Sequence, residues 1–117
     1  MSASPIRRGD LYWYDLGPPR GSVRGARRPV CVVQNDLGNR ASPTTIVAAC
    51  TTRPRGRYPF HVQYTADETG SGHDGMVLCE RLFTINQADL GDYCGALPSR
   101  LAPELDHALC LSLGIRV

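Results

Sequence analysis

The chain switches repeatedly between short apolar runs and short polar or glycine-rich breaks. "DLYWYDL" (10–16) alternates apolar and polar residues and is rich in aromatics, which predicts a strand. "RPVCVVQ" (28–34) and "TTIVAACTT" (44–52) are β-branched runs and predict buried strands. "YPFHVQY" (58–64) alternates again, "MVLCERLFTI" (76–85) predicts a long strand, and "YCGAL" (93–97) a short one. The breaks carry turn chemistry: "GPPRGSVRGA" (17–26), "NDLGNRASP" (35–43), the basic "RPRGR" (53–57) and the acidic "ADETGSGHDG" (66–75). "NQADL" (86–90) predicts one helical turn with Asn86 as its N-cap.

One segment has helical periodicity. In "LAPELDHALCLSLG", Leu101, Leu105, Leu109 and Leu113 recur every four residues, and Ala108 joins the stripe. Pro103 suits a first turn, and Gly114 suits the position just past the end. Short strands at near-regular spacing, followed by one helix, predict a mainly β protein. Its expected architecture is a small, curved antiparallel sheet or barrel with a C-terminal helix, forming a single domain over residues 1–117.

Composition narrows the class. With 42% hydrophobic and 21% charged residues, the chain is an ordinary globular one. No apolar run approaches the ~20 residues of a membrane span. "MSASPIRRGD" has no apolar segment after its basic residues, so a signal peptide is not expected. The expected setting is cytoplasmic, away from membranes. Cys31, Cys50, Cys79, Cys94 and Cys110 are widely spaced and contain no CxxC pair, which predicts free, buried thiols. His61, His73 and His107 are scattered, so no metal is expected. No phosphate-binding or dinucleotide fingerprint calls for a cofactor.

Charge changes the picture. Every basic residue is arginine, and the sign is segregated. Residues 20–57 hold eight arginines against Asp36 alone, a net +7, whereas residues 65–117 hold eight acids against Arg81, Arg100 and Arg116, a net −5. A basic half of this kind attracts a polyanion. Two strand ends within it carry candidate chemistry. Arg28 precedes Pro29, which pushes it towards extended geometry at a strand mouth. Thr51 ends the second β-branched run. If both strands share a sheet, a guanidinium and a hydroxyl can meet at one phosphate.

"RRGDLYWYDLGPPRGS", "RRPVCVVQNDLGNRASPTTIVAACTT" and "LCERLFTINQADL", with the leucine helix after them, resemble the MazF/PemK family of toxin endoribonucleases. The similarity runs from about Arg8 to Gly114. It implies a small SH3-like β-barrel of the CcdB/PemK kind with a C-terminal helix, usually a homodimer. It also implies metal-independent cleavage of single-stranded RNA at a short sequence, leaving 2′,3′-cyclic phosphate and 5′-hydroxyl ends, and neutralisation by a cognate antitoxin. The family's catalytic pair falls on Arg28 and Thr51. The resemblance places Ser22, Arg24, Arg27, Thr52, Arg53, Arg55, Arg57, Tyr58 and Arg81 on loops and strand ends along the RNA groove.

The chain departs from many relatives at three places. Val23 stands where a glutamate is common, which leaves the general base unassigned. Arg81 replaces a glutamine and Phe83 an arginine, which implies an altered base preference. Phe83 or Tyr58 can stack a splayed base. His61 is a base by side-chain type, although alternation with Phe60 and Val62 suggests a strand-surface position. Gln34, Asn35, Asp36 and Asn39 have turn-forming roles that need no RNA. Two other functions fit parts of the pattern: a CcdB-like toxin that poisons gyrase by protein contact, and an RNA-binding module without turnover.

Overall fold

The β-branched and aromatic runs form the strands of one antiparallel sheet. The computed structural model describes residues 5–18, 26–53 and 56–116. Its strands are β1 (Asp10–Asp15), β2 (Arg27–Val32), β3 (Thr44–Thr51), β4 (His61–Tyr64), β5 (Gly75–Asn86) and β6 (Tyr93–Ala96), in the order β4-β5-β3-β2-β1-β6. Three helices join them: α1 (Asp36–Ala41), α2 (Ala66–Thr69) and α3 (Ala102–Leu113). Among the described residues, no helix is long and apolar enough to cross a membrane.

Strand alternation divides the apolar residues between two faces. One face carries Leu11, Cys31, Val33, Ala48, Cys50, Val62, Tyr64, Val77 and Cys79, which pack with Leu101, Leu105 and Ala108 at the C-terminal helix. The other carries Val30, Val32, Val47 and Ile85 with Tyr12, Tyr14, Phe83 and Leu90. Strands β2 and β3 are therefore covered on both sides, which is why their sequences are continuous apolar runs. Two strands lie between β1 and β5, so a flat sheet would hold them about 14 Å apart. The Tyr14 and Phe83 rings nevertheless meet at 5.8 Å, as a sheet curled towards a barrel allows.

Strand β5 supplies part of that curvature. Consecutive residues Ala48 and Ala49 on β3 face Leu82 and Leu78, so Cys79, Glu80 and Arg81 bulge out of the ladder. An excess of residues on one strand bends it and re-aims its side chains.

Several local expectations are corrected. Residues 35–43 are not only a turn: Asp36–Ala41 is helical, and the Asn35 side chain caps it by accepting the Gly38 N–H at 2.8 Å. Buried Asn39 accepts from the Thr45 hydroxyl at 2.7 Å and from Gln34 Nε2 at 3.0 Å, which locks this helix onto β3. Within the acidic loop, Thr65 and Glu68 form a reciprocal capping box around α2, and Gly70, at φ +74°, ends it. The strand expected over 58–64 begins only at His61. The turn after Asn86 exists as a 3₁₀ turn, but the Asn86 side chain makes no capping bond. Helix α3 is as expected at its ends, with Pro103 in the first turn and Gly114 at φ +71°. Its stripe stops short: Leu105 is 2% exposed, whereas Leu113 is 58% exposed. Among the cysteines, Cys31, Cys50 and Cys79 are buried free thiols, and Cys94 and Cys110 are half-buried.

Candidate active site

A cleft of about 860 Å³ opens where β2 and β3 part. The cause is local. The β2–β3 ladder runs Val32–Val47, Cys31–Ala48, Val30–Ala49 and stops there. Pro29 is the next residue of β2, and it has no N–H with which to extend a ladder. Strand β2 continues to Arg27 through its pairing with β1, and β3 continues to Thr51 through its pairing with β5. Carrying the same register two residues further sets Arg28 opposite Thr51, on the face shared by Val30, Val32 and Val47. Both residues line the cleft.

The side chains around this pair are positioned by different elements. Tyr14 of β1 lies directly across from Arg28, and its ring meets Phe83 of β5 at the floor of the cleft. Thr51 Oγ1 accepts the Arg53 N–H at 3.1 Å, which orients the hydroxyl. The β5 bulge delivers Glu80 and Arg81 to the opposite wall. At the open end, the Tyr58 and Phe60 rings stack at 5.2 Å with an interplanar angle of 9°. Both rings meet the His61 imidazole edge-on. Arg28, Arg53 and Arg81, together with Asp15 and Glu80, thus line a half-apolar pocket. Such a site can grip a phosphodiester with cations while stacking neighbouring bases on aromatic rings.

The expected contact residues separate into groups. Arg28, Thr51, Arg53, Tyr58 and Arg81 come together in the cleft, as does Phe83. Arg27 lies on the other face of β2, with its guanidinium 5.2 Å from the centre of the Trp13 ring and 3.6 Å from Asp92. Thr52 borders a separate small crevice with Trp13 and His73. Arg57 is exposed on the loop before β4 and outside the cleft lining. Ser22, Arg24 and Arg55, and also Val23, lie outside the described residues.

Sequence reasoning did not single out Glu80, and it placed His61 on a strand surface. The His61 side chain is only 6% exposed, and its Nε2 lies 3.1 Å from both Glu80 carboxylate oxygens. Among the described residues, two buried side-chain nitrogens or oxygens lack a partner, Arg28 Nε and His61 Nδ1, and both belong to this cleft. Native proteins seldom leave such atoms unmatched, and ligand sites are where the exceptions gather.

Comparison with known proteins finds relatives over most of the chain. The model of a family described as PemK-like, MazF-like toxin of type II toxin-antitoxin system matches residues 7–113. Endoribonuclease EndoA of Bacillus subtilis (strain 168) is 41% identical over 111 residues, which are 94% of this chain and 96% of that protein. An endoribonuclease from Mycobacterial species, solved in complex with its cognate antitoxin, superposes with a TM-score of 0.79 at 25% identity, covering 96% of this chain and 98% of that one. MazF (Form-I) from Deinococcus radiodurans gives 0.77 at 25% identity over 96% and 99% of the two chains. With most of its length matched in sequence and in fold, the chain belongs to the PemK-like, MazF-like toxin family of type II toxin–antitoxin systems.

Proposed function

We propose that this protein is an endoribonuclease toxin that cuts single-stranded RNA in the cleft between β2 and β3, with Arg28 and Thr51 as catalytic residues. The observation that carries the reading is the strand register. Carried two residues past its last pair, it sets a half-buried guanidinium opposite a hydroxyl at the mouth of a cationic cleft, and among the described residues the guanidinium Nε has no partner. Family membership and the likeness to endoribonuclease EndoA support the same activity.

RNA carries its own nucleophile, the 2′-hydroxyl, so the protein need not form a covalent intermediate. It has to align that oxygen with phosphorus and stabilise the charge that develops there. Arg28 supplies a permanent positive charge and N–H donors to the non-bridging oxygens. Thr51 adds a neutral hydrogen bond. Attack of the 2′-oxygen expels the 5′-oxygen and leaves a 2′,3′-cyclic phosphate and a 5′-hydroxyl. No metal is needed for these roles. Arg53 and Arg81 hold flanking phosphates, and the Tyr58–Phe60 stack and Phe83 receive flanking bases. Each stacked base adds ~1–3 kcal/mol of binding. The working form is a homodimer, and the neutralising partner is an antitoxin whose acidic segment occupies the cationic cleft. The mycobacterial endoribonuclease solved in complex with its cognate antitoxin supports the antitoxin partner.

The test is direct. In EDTA, the purified protein is expected to cut a mixed-sequence RNA and leave DNA of the same sequence intact. Thr51→Ala is expected to stay folded and lose growth arrest on expression. RNA left uncut at micromolar protein would refute the reading.

A further inference from the structure

The second orphaned atom of the cleft points to a catalytic group that Arg28 and Thr51 cannot replace. Both Glu80 carboxylate oxygens lie 3.1 Å from His61 Nε2. An ionised carboxylate only accepts hydrogen bonds, so Nε2 carries a hydrogen, and in the neutral imidazole the lone pair then sits on Nδ1. Among the described residues, Nδ1 has no donor. Tyr58 and Phe60 hold the ring edge-on at 5.4 and 4.8 Å, and Glu80 fixes its far nitrogen. The side chain is more than nine-tenths buried, yet it lines the same cleft as Arg28 and Thr51. The cleft therefore offers one orphan donor, Arg28 Nε, and one orphan acceptor, His61 Nδ1. A phosphodiester flanked by a 2′-hydroxyl presents the complementary pair, an anionic acceptor and an O–H donor.

We propose that His61 Nδ1 is the general base of the reaction and that Glu80 is its positioning residue. The inference rests on the endoribonuclease reading and names a group which that reading leaves open. Arginine stays protonated in proteins, and a threonine hydroxyl is a poor proton acceptor, so neither catalytic side chain above takes the proton readily. As the 2′-oxygen attacks phosphorus, its proton passes to Nδ1 and the phosphorus–O5′ bond breaks. The departing 5′-oxygen takes a proton from water, and the imidazolium later returns its own to solvent. Glu80 stabilises the imidazolium while it exists. Tyr58 is 55% exposed and packs against the imidazole, so the open end of the cleft leads to the ring. Catalytic hydrogen bonds often form only with substrate bound. An acceptor that waits for a 2′-hydroxyl also gives the site a reason to ignore DNA.

The experiment uses the full-length protein and an RNA oligonucleotide containing one mapped cut site. A second oligonucleotide carries a 2′-deoxy nucleotide at that position, cannot be cleaved, and reports affinity. His61→Ala is expected to lower kcat by ~10²–10⁴. Its affinity for the 2′-deoxy oligonucleotide should match that of the wild type, because the contact in question is absent from both complexes. Added imidazole should restore cleavage by His61→Ala in a concentration-dependent way. It should not restore His61→Gln, whose side chain fills the space. Glu80→Gln should lower kcat and leave KM unchanged. Cleavage by folded His61→Ala at the wild-type rate would overturn the proposal, as would a rate loss matched by an affinity loss or a failure of imidazole rescue. If His61→Ala does not fold, His61→Gln carries the test through the same split between rate and affinity. Wild-type cleavage with unaffected His61 variants sinks only this proposal, whereas an inactive wild type sinks the nuclease reading and this proposal with it.

Discussion

Arg28→Met separates stability from activity. The substitution keeps the apolar stem that lies across from Tyr14 and removes the guanidinium. Arg28 Nε is buried and, among the described residues, has no hydrogen-bond partner. A buried donor left unsatisfied costs ~1–3 kcal/mol, and methionine removes that donor. The variant is therefore expected to be more stable than the wild type. For a chain of this size 1 kcal/mol corresponds to about 4 °C, so Tm should rise by ~4–12 °C. Activity should move the other way. Loss of one preorganised donor to the developing charge lowers the rate ~10²–10³-fold, or roughly 3–4 kcal/mol. A circular-dichroism melt and cleavage of a fluorogenic RNA read the two effects on one preparation. A fall in Tm of several degrees would show that the guanidinium holds the fold together. An unchanged cleavage rate would show that the reacting phosphate lies elsewhere. Either result refutes the reasoning.

Other expectations follow from packing and burial. Leu105→Ala should cost ~3–5 kcal/mol in a denaturant titration, because a 2%-exposed leucine leaves a cavity in the main core, whereas Leu113→Ala, at 58% exposure, should stay within ~0.5 kcal/mol. Burial pushes the Cys79 thiol up to about 12 and raises Cys31 and Cys50 as well. A raised pKa means less thiolate at pH 8, and thiolate is the form that reacts. Burial raises the Cys94 thiol too, so iodoacetamide at that pH should modify half-buried Cys110 first, Cys94 more slowly, and Cys31, Cys50 and Cys79 only after unfolding, as peptide mass mapping would show. RNA affinity should fall with salt by ~0.7 log units per log unit for each phosphate contacted. A flat response would remove Arg53 and Arg81 as phosphate ligands.

The strands were legible because their signal is local. Apolar runs such as 44–52 and alternation such as 10–16 predict their own conformation, and the observed bounds differ by a residue or two. The short helices were not, because asparagine, aspartate and glycine serve caps and turns equally well. The hydrogen bonds of Asn39 to Thr45 and Gln34, on either side of the helix, pin it onto a strand, and the local pattern does not show them. Leu113 continues a regular stripe, yet it is left exposed. Arg28 and Thr51 could be read as a pair because both sit at strand ends next to a proline or a turn. Arg27 shows the limit of that reading. One residue of strand alternation turns it to the opposite face, where Trp13 and Asp92 hold it. The His61–Glu80 pair was hidden for a different reason. It depends on β4 pairing with β5 and on a bulge at 79–81, and neither leaves a mark in the local pattern.

The central claim is that the cleft between β2 and β3 cleaves RNA by internal attack of the 2′-hydroxyl. Mass spectrometry of the products from one long RNA, incubated with the protein in EDTA, tests it most directly. The account predicts fragments ending in 2′,3′-cyclic phosphate, each followed by a fragment starting with a 5′-hydroxyl, and neither from the Thr51→Ala protein. Fragments that start with a 5′-phosphate, or an intact RNA, would contradict it.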